Sequence, residues 1–315
     1  MHTRDRIDAE SREPLEQLLE VMPGGFNAIP EITARRAALV QMISMQTADL
    51  PPNENVTTEE RTIPGTAGDI AVRVYRPAGA DGVLPGILFI HGGGMVIGNL
   101  DVEEGLAQLL AEEIGAVVVS TDYRKAPEHA HPAQSDDTFA ALQWMGANAD
   151  ELGYDPERLA VYGGSAGGNL ALATALRARD DDGPKLKFVM AIYPMVDESN
   201  TTASSHAITD VGIWDRAANL EAWDWFLGGK EADGIAAPLK ADLAGLPPVF
   251  IDVGDVDLFR DEDVALVQRL LDAGVVTEFH LYPGSFHGSE TFAPTAKLSQ
   301  RIMATRLGAL KEALA

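Results

Sequence analysis

The 315-residue sequence predicts an α/β fold built on a mostly parallel sheet flanked by helices. Short apolar or alternating segments recur along the chain from residue 70, and helix-like segments lie between them. This repeated order of strand and helix is typical of a parallel sheet covered on both faces. Strands are predicted at residues 70–75, 86–90, 116–120, 159–162, 188–193, 249–253 and 277–281, and helices at 102–114, 135–149, 167–179, 261–273 and 295–314.

The first two strands illustrate the two patterns on which these assignments depend. Residues 70–75 (IAVRVY) alternate apolar and polar side chains with a period of two, which indicates a half-buried strand. Residues 86–90 (GILFI) form a continuous apolar run that ends at a glycine cluster, as buried parallel strands do. The five later strands resemble the second pattern.

Two regions interrupt the alternation, and we interpret them as a helical cap. Residues 1–50 have a helical pattern, whereas residues 200–235 contain three of the four tryptophans. The predicted catalytic domain therefore comprises residues 51–199 and 236–315. The alternative is that the tryptophans form local core, which is a common use of large aromatic side chains.

Composition excludes several classes of partner. The chain has 48 acidic and 24 basic residues, which gives a formal charge of −24 and argues against binding nucleic acid or anionic membranes. It contains no cysteine, so disulfides, thiolate metal sites and cysteine nucleophiles are excluded.

The N-terminal residues lack the apolar region of a signal peptide, and no apolar segment suits membrane insertion. We therefore expect a cytoplasmic protein.

A candidate nucleophile lies in the sequence YGGSAGG at residues 162–168. It fits the pattern G-x-S-x-G, with a predicted strand before it and a predicted helix after it. In such a turn the backbone is strained, and the flanking glycines avoid clashes while the serine oxygen projects above the sheet. The pattern alone is weak evidence, but its strand–turn–helix context indicates that Ser165 is a nucleophile.

A glycine triplet supplies a candidate oxyanion site. Gly92, Gly93 and Gly94 follow His91 directly after the strand at 86–90. Consecutive glycines let backbone N–H groups turn toward a developing negative charge, and the amide of Ala166 is expected to add another donor. A nucleotide-binding loop is the alternative, but no dinucleotide or P-loop pattern accompanies the triplet. His91 is expected to make structural hydrogen bonds.

The general base and its acidic partner are expected after Ser165, because chain order in hydrolases of this architecture is Ser, Asp or Glu, then His. His287 lies in a glycine-rich segment past the carboxyl end of the strand at 277–281, whereas His280 lies within that strand. In open α/β sheets, catalytic residues are found at the carboxyl ends of the strands. Spacing leaves Asp255 and Asp257 equal as acid candidates. Two further acids, Asp261 and Glu262, are expected simply to open a helix.

Taken together, the glycine triplet, residues 123–129 (YRKAPEH), the serine turn and residues 257–262 resemble the hormone-sensitive lipase family of α/β hydrolases, the bacterial family IV esterases. The likeness covers about residues 60–290. It implies an α/β-hydrolase fold with a cap, Asp257 as the acid, and an oxyanion hole formed by Gly93, Gly94 and Ala166. The family implies short- to medium-chain acyl esters as substrates and no cofactor or metal. Homodimers are frequent in it.

The sequence departs from the family pattern at three places. Gly164 occupies the variable position of the serine turn, Met95 follows the triplet where an aromatic residue is frequent, and Ser289 stands where phenylalanine is usual. These differences concern the substrate pocket. We take Met95, Trp214 and Trp223 as candidate substrate-binding residues.

The sequence therefore predicts a serine carboxylesterase with the triad Ser165, Asp257 and His287. An amidase or lactonase would use the same triad, and only a substrate panel separates these activities. A receptor that has kept the fold and lost the chemistry is disfavoured, because His287 is present.

Overall fold

The computed structural model of the protein describes residues 3–48, 50–210 and 213–315. The predicted cap ranges also include residues 1, 2, 49, 211 and 212, which lie outside the described part of the chain. The strands are β1 (Val56–Gly65), β2 (Gly68–Pro77), β3 (Leu84–Ile90), β4 (Val117–Thr121), β5 (Tyr154–Gly164), β6 (Phe188–Ile192), β7 (Val249–Val256) and β8 (Thr277–Phe286).

These strands form one sheet in the order β1-β2-β4-β3-β5-β6-β7-β8. Every pairing from β4 through β3 to β8 is parallel, whereas β2 pairs antiparallel with both β1 and β4. The predicted mostly parallel α/β sheet is therefore confirmed, and all seven predicted strands are present. The sequence pattern missed β1, because only Val56 and Ile63 of this edge strand are buried.

Helices cover the sheet, and two further α-helices come before the first strand in the chain. All five helices predicted between residues 102 and 314 are present, with bounds that differ by a few residues from those expected. The α-helices are α1 (Ala9–Val21), α2 (Ile32–Thr47), α3 (Glu104–Ile114), α4 (Ala133–Ala147), α5 (Ala149–Leu152), α6 (Ala166–Asp180), α7 (Ala203–Ala207), α8 (Arg216–Leu227), α9 (Arg260–Asp272), α10 (Ser289–Phe292) and α11 (Lys297–Ala313).

The central strands bury both of their faces. Leu88 and Ile90 of β3 join one apolar cluster, and Ile87 and Phe89 join another, because successive side chains of a strand point to opposite faces. The first cluster includes residues of α4, α6 and α9, and the second includes residues of α3 and α11. Burial on both faces explains why these strands have continuous apolar sequences.

Strands β7 and β8 are longer than the sequence predicted. Strand β7 continues to Val256, so Asp255 lies within it, and β8 continues to Phe286, so His287 follows the strand directly. The segment expected as a glycine-rich loop is thus mostly strand. The carboxyl ends of β3, β5, β7 and β8 place the candidate site residues at one edge of the parallel sheet.

The N-terminal segment contacts both the sheet edge and the region around α8. The backbone N–H of Asp8 donates to the Gly284 carbonyl at 3.0 Å, and Arg35 of α2 pairs with Glu221 of α8 at 2.6 Å. Among the described residues, no helix combines the length and apolar character that a membrane crossing requires. Within the same residues, no cluster of histidine and carboxylate side chains is arranged to hold a metal ion.

Candidate active site

Ser165 occupies a sharp turn between β5, which ends at Gly164, and α6, which begins at Ala166. Its backbone has φ 58° and ψ −119°, an uncommon conformation for a residue with a side chain. Glycine is required on both sides: a Cβ on Gly163 would lie 2.1 Å from the Gly167 carbonyl oxygen, and one on Gly167 would lie 2.1 Å from the oxygen of Ile90. The turn therefore depends on the G-x-S-x-G pattern.

The structure brings Ser165, His287 and Asp257 into one hydrogen-bonded chain. His287 Nε2 lies 3.0 Å from Ser165 Oγ, and His287 Nδ1 lies 2.9 Å from Asp257 Oδ2. The other Asp257 oxygen accepts a hydrogen bond from the backbone N–H of Phe259 at 2.9 Å. All three side chains are buried or nearly so. A hydroxyl, an imidazole and a carboxylate in this order can activate the hydroxyl as a nucleophile.

Asp255 has a different environment from Asp257. Its carboxylate accepts a hydrogen bond from the Gly284 N–H at 2.6 Å and pairs with Arg6 at 2.5 Å. His280 is half-buried in β8 and contacts Glu278 at 2.7 Å. Thus neither Asp255 nor His280 belongs to the hydrogen-bonded chain that contains Ser165.

The glycine triplet lies beside the serine. A Cβ placed on Gly92 would be 3.7 Å from the Ser165 Cβ. Among the described residues, no protein acceptor binds the backbone N–H groups of Gly93, Gly94 or Ala166. Free backbone donors close to a serine oxygen are what an oxyanion hole requires.

His91, which precedes the triplet, is fully buried and makes structural contacts. Its Nδ1 lies 2.8 Å from the Gly92 carbonyl oxygen, and its ring stacks on Tyr123 with centroids 4.3 Å apart. Burial, followed by the charge of Lys125, lowers the pKa of His91 to about 4, so the ring is neutral at pH 7. It holds the loop that carries the glycines.

The three candidate substrate-binding residues have different surroundings. Trp214 covers the triplet so closely that a Cβ on Gly94 would lie 2.2 Å from its ring, and its Nε1 donates to Asn219 at 3.0 Å. Trp223 is buried against Phe226, with ring centroids 5.6 Å apart. Met95 is fully buried, and its carbonyl oxygen accepts from the Ala126 N–H at 2.9 Å. Trp214 therefore packs directly against the glycine triplet, and Met95 continues the same loop at a buried position. Trp223 packs within α8 against Phe226.

Sequence reasoning missed several polar groups around the site. Glu103 accepts a hydrogen bond from the Gly92 N–H at 2.9 Å, and desolvation raises the pKa of this carboxyl to about 7. Tyr193 packs against His287, with ring centroids 4.6 Å apart, and donates to Glu290 at 2.6 Å. The available signals were positional: Tyr193 directly follows β6, and Glu290 lies three residues after His287.

Glu262 also differs from its prediction as a simple acid at a helix start. It is 1% exposed, and its carboxylate accepts hydrogen bonds from the N–H groups of Val196 at 2.8 Å and Asp197 at 3.2 Å. Its side chain therefore joins α9 to the segment that follows β6. Asp261 behaves more nearly as expected, although it binds the N–H of Ser204 at 2.7 Å rather than only its own helix.

Comparison with known proteins shows the family and the fold class of the chain. Residues 87–291 match a family described as having the α/β hydrolase fold. The chain is 39% identical over 312 residues to carboxylesterase NlhH of Mycobacterium tuberculosis, covering 95% of each chain, and 34% identical over 265 residues to esterase LipI of the same species, covering 81% of this chain and 82% of LipI. Among solved structures, a bacterial heroin esterase superposes with a TM-score of 0.92 at 34% identity, covering 99% of both chains.

Proposed function

The chain belongs to the α/β hydrolases of the hormone-sensitive lipase-like group, and we propose that it is a serine carboxylesterase acting through Ser165, His287 and Asp257. The observation that carries the proposal is the continuous hydrogen-bonded chain from Ser165 Oγ through both nitrogens of His287 to Asp257. The names of the related esterases support ester hydrolysis as the reaction.

The proposed reaction has two stages. Ser165 Oγ attacks the ester carbonyl carbon while His287 Nε2 takes the hydroxyl proton, and Asp257 stabilises the imidazolium that forms. Collapse of the tetrahedral intermediate releases the alcohol, which leaves with the proton from His287, and the acyl group stays on Ser165. Water then attacks this acyl-enzyme, again losing a proton to His287, and the carboxylic acid departs from the regenerated serine.

The developing negative charge on the carbonyl oxygen would be bound by the N–H groups of Gly93, Gly94 and Ala166. Within the described part of the chain no protein acceptor binds these donors, which supports the assignment. Because the donors are held by the backbone, they need little reorganisation when charge develops, and each such donor is worth roughly 10²–10³ in kcat. The position of Ser165 at the N-terminus of α6 adds a favourable dipole.

We also propose that residues 1–50 and 200–235 form a cap that limits acyl-chain length. Two contacts between these segments support it: Arg35 pairs with Glu221 at 2.6 Å, and Asn27 donates to Asp215 at 3.4 Å. Trp214 would bring the cap against the oxyanion loop. Short- to medium-chain acyl esters are the proposed substrates.

The test is a hydrolysis profile of the wild-type protein and of Ser165→Ala. p-Nitrophenyl esters from acetate to decanoate measure chain length, and matched anilides and lactones measure the alternative amidase and lactonase activities. We expect ester hydrolysis to dominate, and Ser165→Ala to lose several orders of magnitude in kcat. A phosphonate inhibitor should label Ser165, as read by peptide mass spectrometry. Faster turnover of anilides or lactones, or labelling at another serine, would contradict the proposal.

A further inference from the structure

Tyr193 has an unusual backbone and lies between the serine turn and the candidate base. It follows β6 directly and has φ 33°, which is rare for a bulky side chain. Its N–H donates to the Asp252 carbonyl at 2.7 Å, and a Cβ on Gly164 would lie 3.4 Å from its ring. A strained backbone conformation persists only where surrounding contacts fix the residue, so the contacts of Tyr193 must hold it in place.

The ring of Tyr193 packs against His287, and its hydroxyl is anchored. The two rings have centroids 4.6 Å apart and planes inclined at 60°, while Phe259 contacts His287 from another side at 5.2 Å and 81°. The Tyr193 hydroxyl donates to Glu290 Oε1 at 2.6 Å. Torsion about the Cβ–ring bond of histidine is broad, so the plane of the imidazole depends on such neighbours.

Glu290 is itself held by a buried arginine. Arg306 of α11 is 2% exposed and contacts Glu290 at 2.6 Å, and it binds both oxygens of Asp252 at 2.7 and 3.0 Å. Burial raises the pKa of Glu290, but Arg306 and the Tyr193 hydroxyl outweigh it and hold the pKa below its usual value. The Glu290 carboxylate is therefore charged at pH 7 and is a strong acceptor for the phenol.

We propose that Tyr193 is a positioning residue for His287, and that Glu290 and Arg306 fix the phenol in place. The inference rests on the proposed function, since it assigns His287 the role of base. The imidazole must keep Nε2 aligned with Ser165 Oγ and Nδ1 aligned with Asp257 throughout two proton transfers. The edge contact from Tyr193 restrains the ring plane that these two hydrogen bonds require, and the anchored hydroxyl keeps that contact rigid.

The decisive variant is Tyr193→Phe, which keeps the ring and removes only the anchoring hydroxyl. We expect kcat to fall about tenfold with KM nearly unchanged, because small misplacements of a catalytic group cost rate rather than binding. The matched control is Tyr154→Phe. Its buried hydroxyl, at the opposite end of β5 from Ser165, has no partner in the described structure, so kcat should stay within about twofold of wild type.

A double-mutant cycle tests whether Tyr193 acts through Glu290. Glu290→Ala also removes the ion pair with Arg306, so it should lower kcat at least as much as Tyr193→Phe. Adding Tyr193→Phe to Glu290→Ala should then cost nothing further, because both substitutions break the same hydrogen bond. Glu290→Gln retains an acceptor oxygen and should restore most of kcat.

All rates are expressed per active site titrated with a phosphonate, and thermal unfolding checks that each variant is folded. If Tyr193→Phe retains the wild-type kcat, or if the two substitutions are additive, the inference is wrong. It is also wrong if Tyr193→Phe changes only KM. These results leave the proposed function intact, provided that wild type is labelled at Ser165. Loss of that label, or full activity of Ser165→Ala, would instead contradict the proposed function.

Discussion

Asp255 Oδ1 accepts a hydrogen bond from the backbone N–H of Gly284 at 2.6 Å, three residues before His287. Asp257, two residues later in the chain, contacts the His287 side chain itself at 2.9 Å. The first carboxylate therefore fixes the end of β8, and the second orients the imidazole.

Replacing each of these acids by asparagine should have unequal effects. Asp257→Asn should lower kcat by about 10⁴, because the amide stabilises the wrong imidazole tautomer. Asp255→Asn should cost less than about tenfold, because its role is confined to the backbone of β8 and the partly exposed Arg6. Steady-state kinetics with p-nitrophenyl acetate measure both variants. A larger loss in Asp255→Asn would mean that Asp255, and not Asp257, supports the base.

Trp214 is expected to restrict the acyl chain next to the oxyanion loop. Trp214→Ala removes a ring that lies against Gly94, so longer acyl esters should gain relative to acetate. One methylene contributes only about 1–3 kcal/mol to discrimination, so the ratio of kcat/KM for hexanoate and acetate should rise by about tenfold or less. Trp144→Ala on α4 provides the control and should leave the ratio unchanged. A uniform loss of activity in Trp214→Ala would indicate support of the fold alone.

Glu103 should make stability depend on pH. Desolvation raises its pKa to about 7, so the folded protein keeps a proton that the unfolded chain releases near pH 4.5. The contribution of Glu103 to the free energy of unfolding is therefore fully present below the pKa of the unfolded chain, and it is lost as pH rises toward 7. Glu103→Gln keeps an acceptor for the Gly92 N–H and removes the titration. Between pH 5 and pH 8, the free energy of unfolding of Glu103→Gln should rise by roughly 1 kcal/mol relative to wild type. This figure is reduced from the full effect because the side chain is partly exposed to solvent.

Chemical denaturation at several pH values measures this difference. Glu104→Gln makes the same change at the first residue of α3 and serves as the control, and the gain should be specific to Glu103→Gln. If the Glu103→Gln and wild-type curves stay parallel from pH 5 to 8, Glu103 does not titrate in this range.

Asp263 is a buried acid that should destabilise the protein at neutral pH. It is fully buried on α9, and neither carboxylate oxygen has a hydrogen-bond partner in the described structure. Desolvation, together with Glu262, Asp257 and Asp252, raises its pKa well above the usual value. The folded state therefore holds a proton that the unfolded chain releases near pH 4, and stability falls as pH rises above that value.

Asp263→Asn should increase stability by about 1–3 kcal/mol at pH 8, with a smaller gain at pH 4, because an amide carries no ionisation cost. Calorimetric unfolding at the two pH values gives the comparison. The exposed Asp69→Asn makes the same change of charge at the surface and should alter stability little. An equal gain at both pH values would show that buried ionisation is not the cause.

The sequence by itself determined the features that depend on local pattern. Apolar runs separated by helices specify a parallel sheet, because strands buried on both faces need continuous apolar sequence. The requirement for glycine at residue 163 is also local, since a Cβ there would meet the carbonyl oxygen of Gly167. The requirement at residue 167 is tertiary, because the close neighbour is the oxygen of Ile90 in β3. Strand β1 escaped prediction because its mostly exposed residues carry little apolar signal.

Only the tertiary structure decided which side chains meet. Asp255 and Asp257 are equivalent by spacing, and they differ because one lies within β7, facing Gly284, and the other lies past its end, beside His287. Tyr193 after β6, Glu290 of α10 and Arg306 of α11 meet although 113 positions separate the first from the last, so no local pattern marks them as a group. These polar groups interact strongly because they share a buried region of low dielectric. That region forms only when the whole sheet packs against its helices.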